Sequence, residues 1–295
     1  MRPSTLAYVS TCAVLALTGC PGGQADAPAG GASASKTELT IKGSDTMVHL
    51  VTAWSEAYMK AHPEVQISVT GGGSGTGIAA MINGTTDVCM ASREMKEKEL
   101  KLAEKQGVSP ERHIVARDGI AIVVHPENQI EALTMDQLRQ IYNGTLTNWK
   151  QVGGADHEIQ VLSRESSSGT YGFFKDHVLQ KDEFGASTRL MPSTASIAQS
   201  TSQDPGSIGY VGLGYVEGGK IKLVGVQADA GAEPTTPSIE TVQSGAYAIS
   251  RPLNLYTKTD ASQLARDFVA FSRSAEGQKI VAESGYVPLK PESTK

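Results

Sequence analysis

Short apolar runs alternate with helix-patterned segments along most of this chain. Three Ser/Thr loops flanked by glycine stand at strand-to-helix junctions, and two extended runs, near residues 118–126 and 248–257, are placed to join two halves. Together these features predict an α/β protein of two lobes, each a mostly parallel sheet flanked by helices, with a ligand cleft between the lobes. The first lobe is expected to comprise residues 37–117 and 249–291, and the second residues 118–248.

The elements follow in order. Leu39-Thr40-Ile41 reads as a strand ending at Gly43, and Met47 to Ala61 places Leu50, Val51, Trp54, Ala57 and Tyr58 at helical spacing until Pro63 stops it. Val65 to Val69 alternates as a strand and runs into glycines 71–73; Ile78 to Ile82 is helical, ended by Asn83-Gly84. Val88 to Ala91 is an apolar strand, and Glu94 to Lys105 a charged surface helix. Ile120 to Val124 is a strand closed by His125-Pro126. A helix near Met135 to Tyr142, a strand Ile159 to Leu162, a helix Gly169 to Leu179, a helix Ala195 to Gln203 and a strand Ile208 to Val211 follow. Residues 225–246 read as loop, Leu253 to Tyr256 as a strand, and Ala261 to Glu283 as one helix with Leu264, Phe268, Phe271 and Ile280 near one face.

The loops carry the chemistry. Ser-Gly-Thr occurs at Ser74-Gly75-Thr76 and again at Ser168-Gly169-Thr170, with a looser copy at Gly43-Ser44-Asp45-Thr46. A helix N-terminus leaves backbone N–H groups unpaired and carries partial positive charge. Glycine lets a ligand reach that backbone, hydroxyls add donors, and Arg164 stands just before the second copy. Ordinary N-capping explains any one of these loops. Three of them at the carboxyl ends of strands, where such sheets bind ligands, point to a tetrahedral oxyanion.

The N-terminus specifies export. Met1-Arg2 is followed by a mostly apolar stretch, Leu6 to Leu17, too short to span a bilayer. Residues 1–19 read as a lipoprotein signal peptide, and Leu17-Thr18-Gly19-Cys20 as a lipobox that makes Cys20 the lipidated N-terminus. Residues 20–36, rich in Pro, Gly, Ala and Ser, read as a disordered tether with a reach of roughly 20–25 Å. The protein is therefore expected at the outer face or periplasmic side of a cell membrane, touching the bilayer only through Cys20.

Of three cysteines, Cys12 leaves with the signal and Cys20 carries lipid, so Cys89 stands alone and no internal disulfide can form. Loss of residues 1–19, whose one charged side chain is Arg2, takes the formal charge from -5 to -6. This acidic balance argues against a nucleic-acid partner. Aromatic residues at 5% argue against a stacking platform for bases or sugars. No Cys/His spacing suits a metal, and the glycine loop lacks the G-K-[ST] ending of a P-loop, so no cofactor is expected. A serine hydrolase using Ser74 or Ser168 is the alternative from another class. Gly72-Gly73-Ser74-Gly75-Thr76 lacks the last glycine of a nucleophile elbow, so the chain does not read as an enzyme.

From residue 38 to 290 the chain resembles the phosphate-binding lipoproteins of bacterial ABC importers, the PstS type within the type II periplasmic binding-protein superfamily. The resemblance rests on Gly43 to Met47, Gly71 to Gly77, Ala91-Ser92-Arg93, Ile141 to Gly144 with Thr147-Asn148-Trp149, Arg164 to Thr170, and Gly206 to Tyr210. It implies a monomer that closes over inorganic phosphate and delivers it to an ABC permease. Matched position by position, it implies phosphate donors at Ser44, Thr46, Ser74, Arg164, Ser168, Gly169 and Thr170.

The chain departs from better-known members at two places. They carry an aspartate after Ala-Ser that accepts the proton of hydrogen phosphate; here that position is Arg93. Their arginine loop often has Asp two residues after the arginine; here it is Ser166. A phosphate proton that meets only donors costs about 1–3 kcal/mol. Asp45 is the preferred replacement acceptor, ahead of Glu165, and Arg93 is expected to act as a second charged clamp. Another oxyanion such as sulfate, and a phosphate sensor without an import role, remain as alternative readings.

Overall fold

The computed structural model describes residues 37–216 and 219–290. The expected signal peptide, Cys20 and the tether lie outside the described residues. In chain order the elements are β1 (Thr37–Gly43), α1 (Val48–Ala61), β2 (Val65–Thr70), α2 (Ser74–Ile82), β3 (Val88–Ala91), α3 (Glu97–Lys105) and β4 (Pro110–Val124). Then come β5 (Ala132–Thr134), α4 (Met135–Tyr142), β6 (Gln160–Arg164), α5 (Gly169–His177), β7 (Arg189–Met191), α6 (Thr194–Thr201) and β8 (Ser207–Gly212). The chain ends with β9 (Lys222–Gln227), α7 (Ile239–Ser244), β10 (Ser250–Lys258), α8 (Gln263–Arg273) and α9 (Ala275–Glu283).

The strands run in the order β2-β1-β3-β10-β4-β8-β6-β7, with β9 pairing β4 and β5. Pairings inside each half are parallel: β1 with β2 and β3, β6 with β7 and β8, β5 with β9. β4 and β10 run against their neighbours and join the halves. Residues 110–119 of β4 pair with β10, while residues 120–124 pair with β8 and β9. This one strand of 15 residues thus belongs to both sheets.

Two main apolar clusters match the two lobes. Trp54, Leu50, Val51 and Met47 of the α1 region pack with Phe268 and Val281 over β1, β2 and the first half of β4. Tyr142, Trp149, Phe174 and Tyr210 pack over the second half of β4 with β8 and β9. Burial of each such side chain contributes roughly 1.5–3 kcal/mol, so each lobe has a core of its own.

The structure adds the short strands β5 and β7 to the sequence reading and differs from it at three further places. The last helix is two, because Ser274 ends α8 and its hydroxyl accepts from Gly277 N to cap α9. Gly277 allows this corner, since a Cβ there would overlap the carbonyl oxygen of Phe271. Residues 225–246 contain part of β9 and all of α7, the latter capped by Ser238. β4 begins ten residues before Ile120, because Glu111, Arg112, Arg117 and Asp118 interrupt its apolar pattern. Among the described residues, no helix is long and apolar enough to cross a membrane.

Candidate anion-binding site

The loops after β1, β2, β3 and β6 converge at the carboxyl ends of their strands, and each leads into a helix. Gly73, at φ 110° before α2, could not be another residue without strain, and a Cβ on it would press into the carbonyl of Ser167. That carbonyl accepts from Gly75 N at 2.9 Å, and Ser167 Oγ donates to Gly72 O at 3.2 Å. The glycine loop of one lobe is therefore bonded to the arginine loop of the other.

Buried hydroxyls collect where the loops meet. Ser44 Oγ donates to Ser92 Oγ at 2.9 Å, Ser92 N donates to Ser74 Oγ at 3.0 Å, and the Ser74 and Ser92 hydroxyls are 3.3 Å apart. Gly169, the first residue of α5, faces this trio so closely that a Cβ would overlap Ser74 Oγ. The hydroxyls of Thr46 and Thr170 bond across the cleft at 2.8 Å. Ser168 is the N-cap of α5, its hydroxyl accepting from Thr170 N at 3.2 Å and Tyr171 N at 3.3 Å. Its own proton stays available for a further acceptor.

Arg164 is only 3% exposed. Its Nη1 donates to Asp45 Oδ2 at 3.0 Å and Thr194 Oγ1 at 2.8 Å, while Nη2 and Nε donate to the carbonyls of Pro192 and Met191. Asp45 Oδ2 also accepts from Thr194 N at 2.7 Å. The Asp45 carboxylate thus occupies the place beside the arginine that Ser166 cannot fill.

Arg93 lies beside the hydroxyl trio but reaches toward α3. Its Nη1 and Nη2 each donate to one Glu99 oxygen at 2.8 Å, and Nη1 also donates to Glu94 O. Burial alone would raise the Glu99 carboxyl; the Arg93 fork and the Lys96 amide outweigh it and hold the group below its ordinary range. Most of the Arg93 fork is therefore committed to Glu99.

The structure therefore brings Ser44, Thr46, Ser74, Ser168, Gly169 and Thr170 together, with Arg164 and Asp45 joined at the edge and Arg93 turned toward α3. Sequence reading missed several neighbours. Ser92 was visible within Ala-Ser-Arg but was not singled out as a donor. Asp118 and Arg251 form a fully buried pair on β4 and β10, with Arg251 Nη2 2.9 Å from Asp118 Oδ2. Burial pushes the Asp118 carboxyl up, against the pull of the Arg251 charge. The available signal was two opposite charges inside the two runs expected to cross between lobes. Thr194 and Tyr215 gave no signal, since only the fold brings them to Asp45.

Comparison with known proteins agrees with the fold. Residues 27–276 match the family model described as a PBP superfamily domain. The Phosphate-binding protein PstS of Pseudomonas aeruginosa is 34% identical over 275 residues, covering 88% of this chain and 85% of that protein. The protein of the same name from Bacillus subtilis is 31% identical over 255 residues, covering 85% and 80%. A crystal structure of a putative phosphate ABC transporter substrate-binding protein from Clostridium perfringens, with bound phosphate, superimposes with a TM-score of 0.78 at 31% identity, covering 86% of this chain and all of that one. The chain therefore belongs to the PBP superfamily and, within it, to the family of PstS phosphate-binding proteins.

Proposed function

We propose that this protein captures inorganic phosphate outside the cytoplasm and hands it to the permease of an ABC importer. One observation carries the reading: the Ser44–Ser92–Ser74 hydroxyls face the glycine-led N-terminus of α5 across the cleft. That arrangement supplies hydroxyl and backbone donors to a small anion from both lobes. Micromolar affinity requires about 8 kcal/mol, which several bonds to charged groups of about 1.5–3 kcal/mol each can supply after desolvation and closure costs.

In this reading Ser44, Ser74, Ser168, Gly169 and one hydroxyl of the Thr46–Thr170 pair donate to phosphate, with Arg164 as the charged member through its remaining Nη2 hydrogen. Arg93, held by Glu99, contributes charge rather than a free fork. Asp45 Oδ2 takes the bonds from Arg164 and Thr194, so Oδ1 is the oxygen left to accept the proton of hydrogen phosphate. Residues 37–117 with 249–291 and residues 118–248 move as the two lobes about β4 and β10. The protein works as a monomer, without a catalytic step, tethered through lipidated Cys20. Equilibrium dialysis of ligand-stripped protein against labelled phosphate, challenged with sulfate, tests the reading. Phosphate retained against excess sulfate supports it; displacement by equimolar sulfate would assign the site to another oxyanion.

A further inference from the structure

Arg251 is 1% exposed, yet its Nη1 has no hydrogen-bond partner among the described residues. The rest of the guanidinium is fully used. Nε and Nη2 donate to Asp118 Oδ2 at 3.2 and 2.9 Å, and Nη2 also donates to Thr170 Oγ1 at 3.0 Å. Asp118 Oδ1 is held in turn by Leu213 N at 3.0 Å, and Phe173 lies 5.7 Å from the guanidinium carbon. These contacts fix the fork, so Nη1 is a rigidly held donor. A buried N–H without an acceptor is costly, more so on a charged group.

The bond to Thr170 has a second consequence. A hydroxyl has one proton and two lone pairs. Arg251 occupies one lone pair of Thr170 Oγ1, and the 2.8 Å bond between Thr46 and Thr170 consumes one of their two protons. One proton is left, and it can only be donated outward. The pair thereby keeps one proton that a ligand oxygen can accept.

We propose that Arg251 is a second arginine of the anion site, setting the Thr46–Thr170 pair as a donor through Nη2 and offering Nη1 to an oxygen of the bound oxyanion. The inference rests on the phosphate reading above. Asp118 neutralises the guanidinium in the absence of ligand, so the site keeps a buried cation without net charge. A cavity of ≈ 390 Å³ beside Arg251, lined also by Arg93, Lys96 and Phe173, is a second place where an anion could meet this edge, though Glu94 and Asp176 line it too and offset two of its three positive charges.

Calorimetric phosphate titration of the mature protein and four variants, R251K, T170V, R251K/T170V and D118N/R251Q, tests the proposal. R251K keeps a cation opposite Asp118, but its single compact nitrogen lacks the rigid fork that places separate donors on Asp118, Thr170 and a ligand. It should lower phosphate affinity at least about tenfold, and adding T170V should then cost much less than T170V costs in the parent. D118N/R251Q removes both buried charges, leaves the net charge unchanged and guards against misfolding from an unpaired Asp118. Its loss should be larger at pH 8.5, where the dianion accepts a stronger bond from Nη1, than at pH 5, where phosphate is a monoanion; a purely structural role would lower both alike. Affinity within about threefold of the parent in folded R251K, additive losses with T170V, or loss of only a second weaker site would overturn the proposal. A parent that binds no phosphate would instead overturn the functional reading, and this inference with it.

Discussion

Asp45 and Arg164 stand 119 residues apart in sequence and 3.0 Å apart in space, as an ion pair between the first loop and the end of β6. The side-chain partners of Asp45 come from the second lobe, Arg164 and Thr194, and Tyr215 of that lobe donates its hydroxyl to the Asp45 carbonyl at 3.0 Å. The carboxylate that balances the arginine is thus supplied from across the cleft, so the pair forms only when the two lobes meet there. Replacing Asp45 with alanine should lower stability by about 1–3 kcal/mol, because it leaves a buried guanidinium short of its acceptor. Urea unfolding with and without phosphate measures this, and an unchanged midpoint would show that the pair does not hold the lobes.

Arg164→Ala removes the charged member of the proposed ligand set. Phosphate affinity should fall at least about tenfold, the loss of a charge-assisted bond. Calorimetry that finds the parent's affinity would remove Arg164 from the site.

Gly169→Ala tests closeness rather than charge. The added methyl would overlap Ser74 Oγ and crowd Ser92 Oγ, so the lobes could not meet as they do. Overpacking of this kind costs about 1–3 kcal/mol, and it should appear as weaker phosphate binding together with a lower melting temperature of the ligand-free protein. A variant that binds like the parent would mean that the first turn of α5 does not face the ligand.

The Arg93–Glu99 fork should make stability depend on pH in a definite direction. Glu99 sits below its ordinary value of 4.5 in the folded protein, so its contribution is complete above that value and is lost as pH falls through the lowered folded value. The stability difference between parent and Glu99→Gln should therefore be largest near neutrality and shrink below about pH 4.5. A difference that stays constant from pH 7 to pH 3 would contradict the assignment.

Cys20→Ser should leave phosphate affinity unchanged and move the protein from the membrane fraction to the soluble fraction. Continued membrane fractionation would refute the lipid anchor.

Much of this was legible because local patterns and tertiary placement agree. Val65–Val69 alternates in sequence and forms β2, and Ser168 reads as an N-cap and serves as one. The Ser-Gly-Thr loops were visible because close approach and helix N-termini demand those residue types. What stayed hidden depends on long-range contact. Arg251 and Asp118 look like surface charges until β4 and β10 bury them against each other. Arg93 looked like a ligand clamp, and nothing local showed that Glu99, six residues on, takes its fork.

A high-resolution crystal structure of the protein grown with phosphate shows whether the anion sits among these hydroxyls. The expected result is one phosphate enclosed by Ser44, Ser74 and the Ser168–Thr170 turn, with Arg164 against its oxygens. Phosphate bound elsewhere, or a cleft that closes with no anion among these hydroxyls, would contradict it.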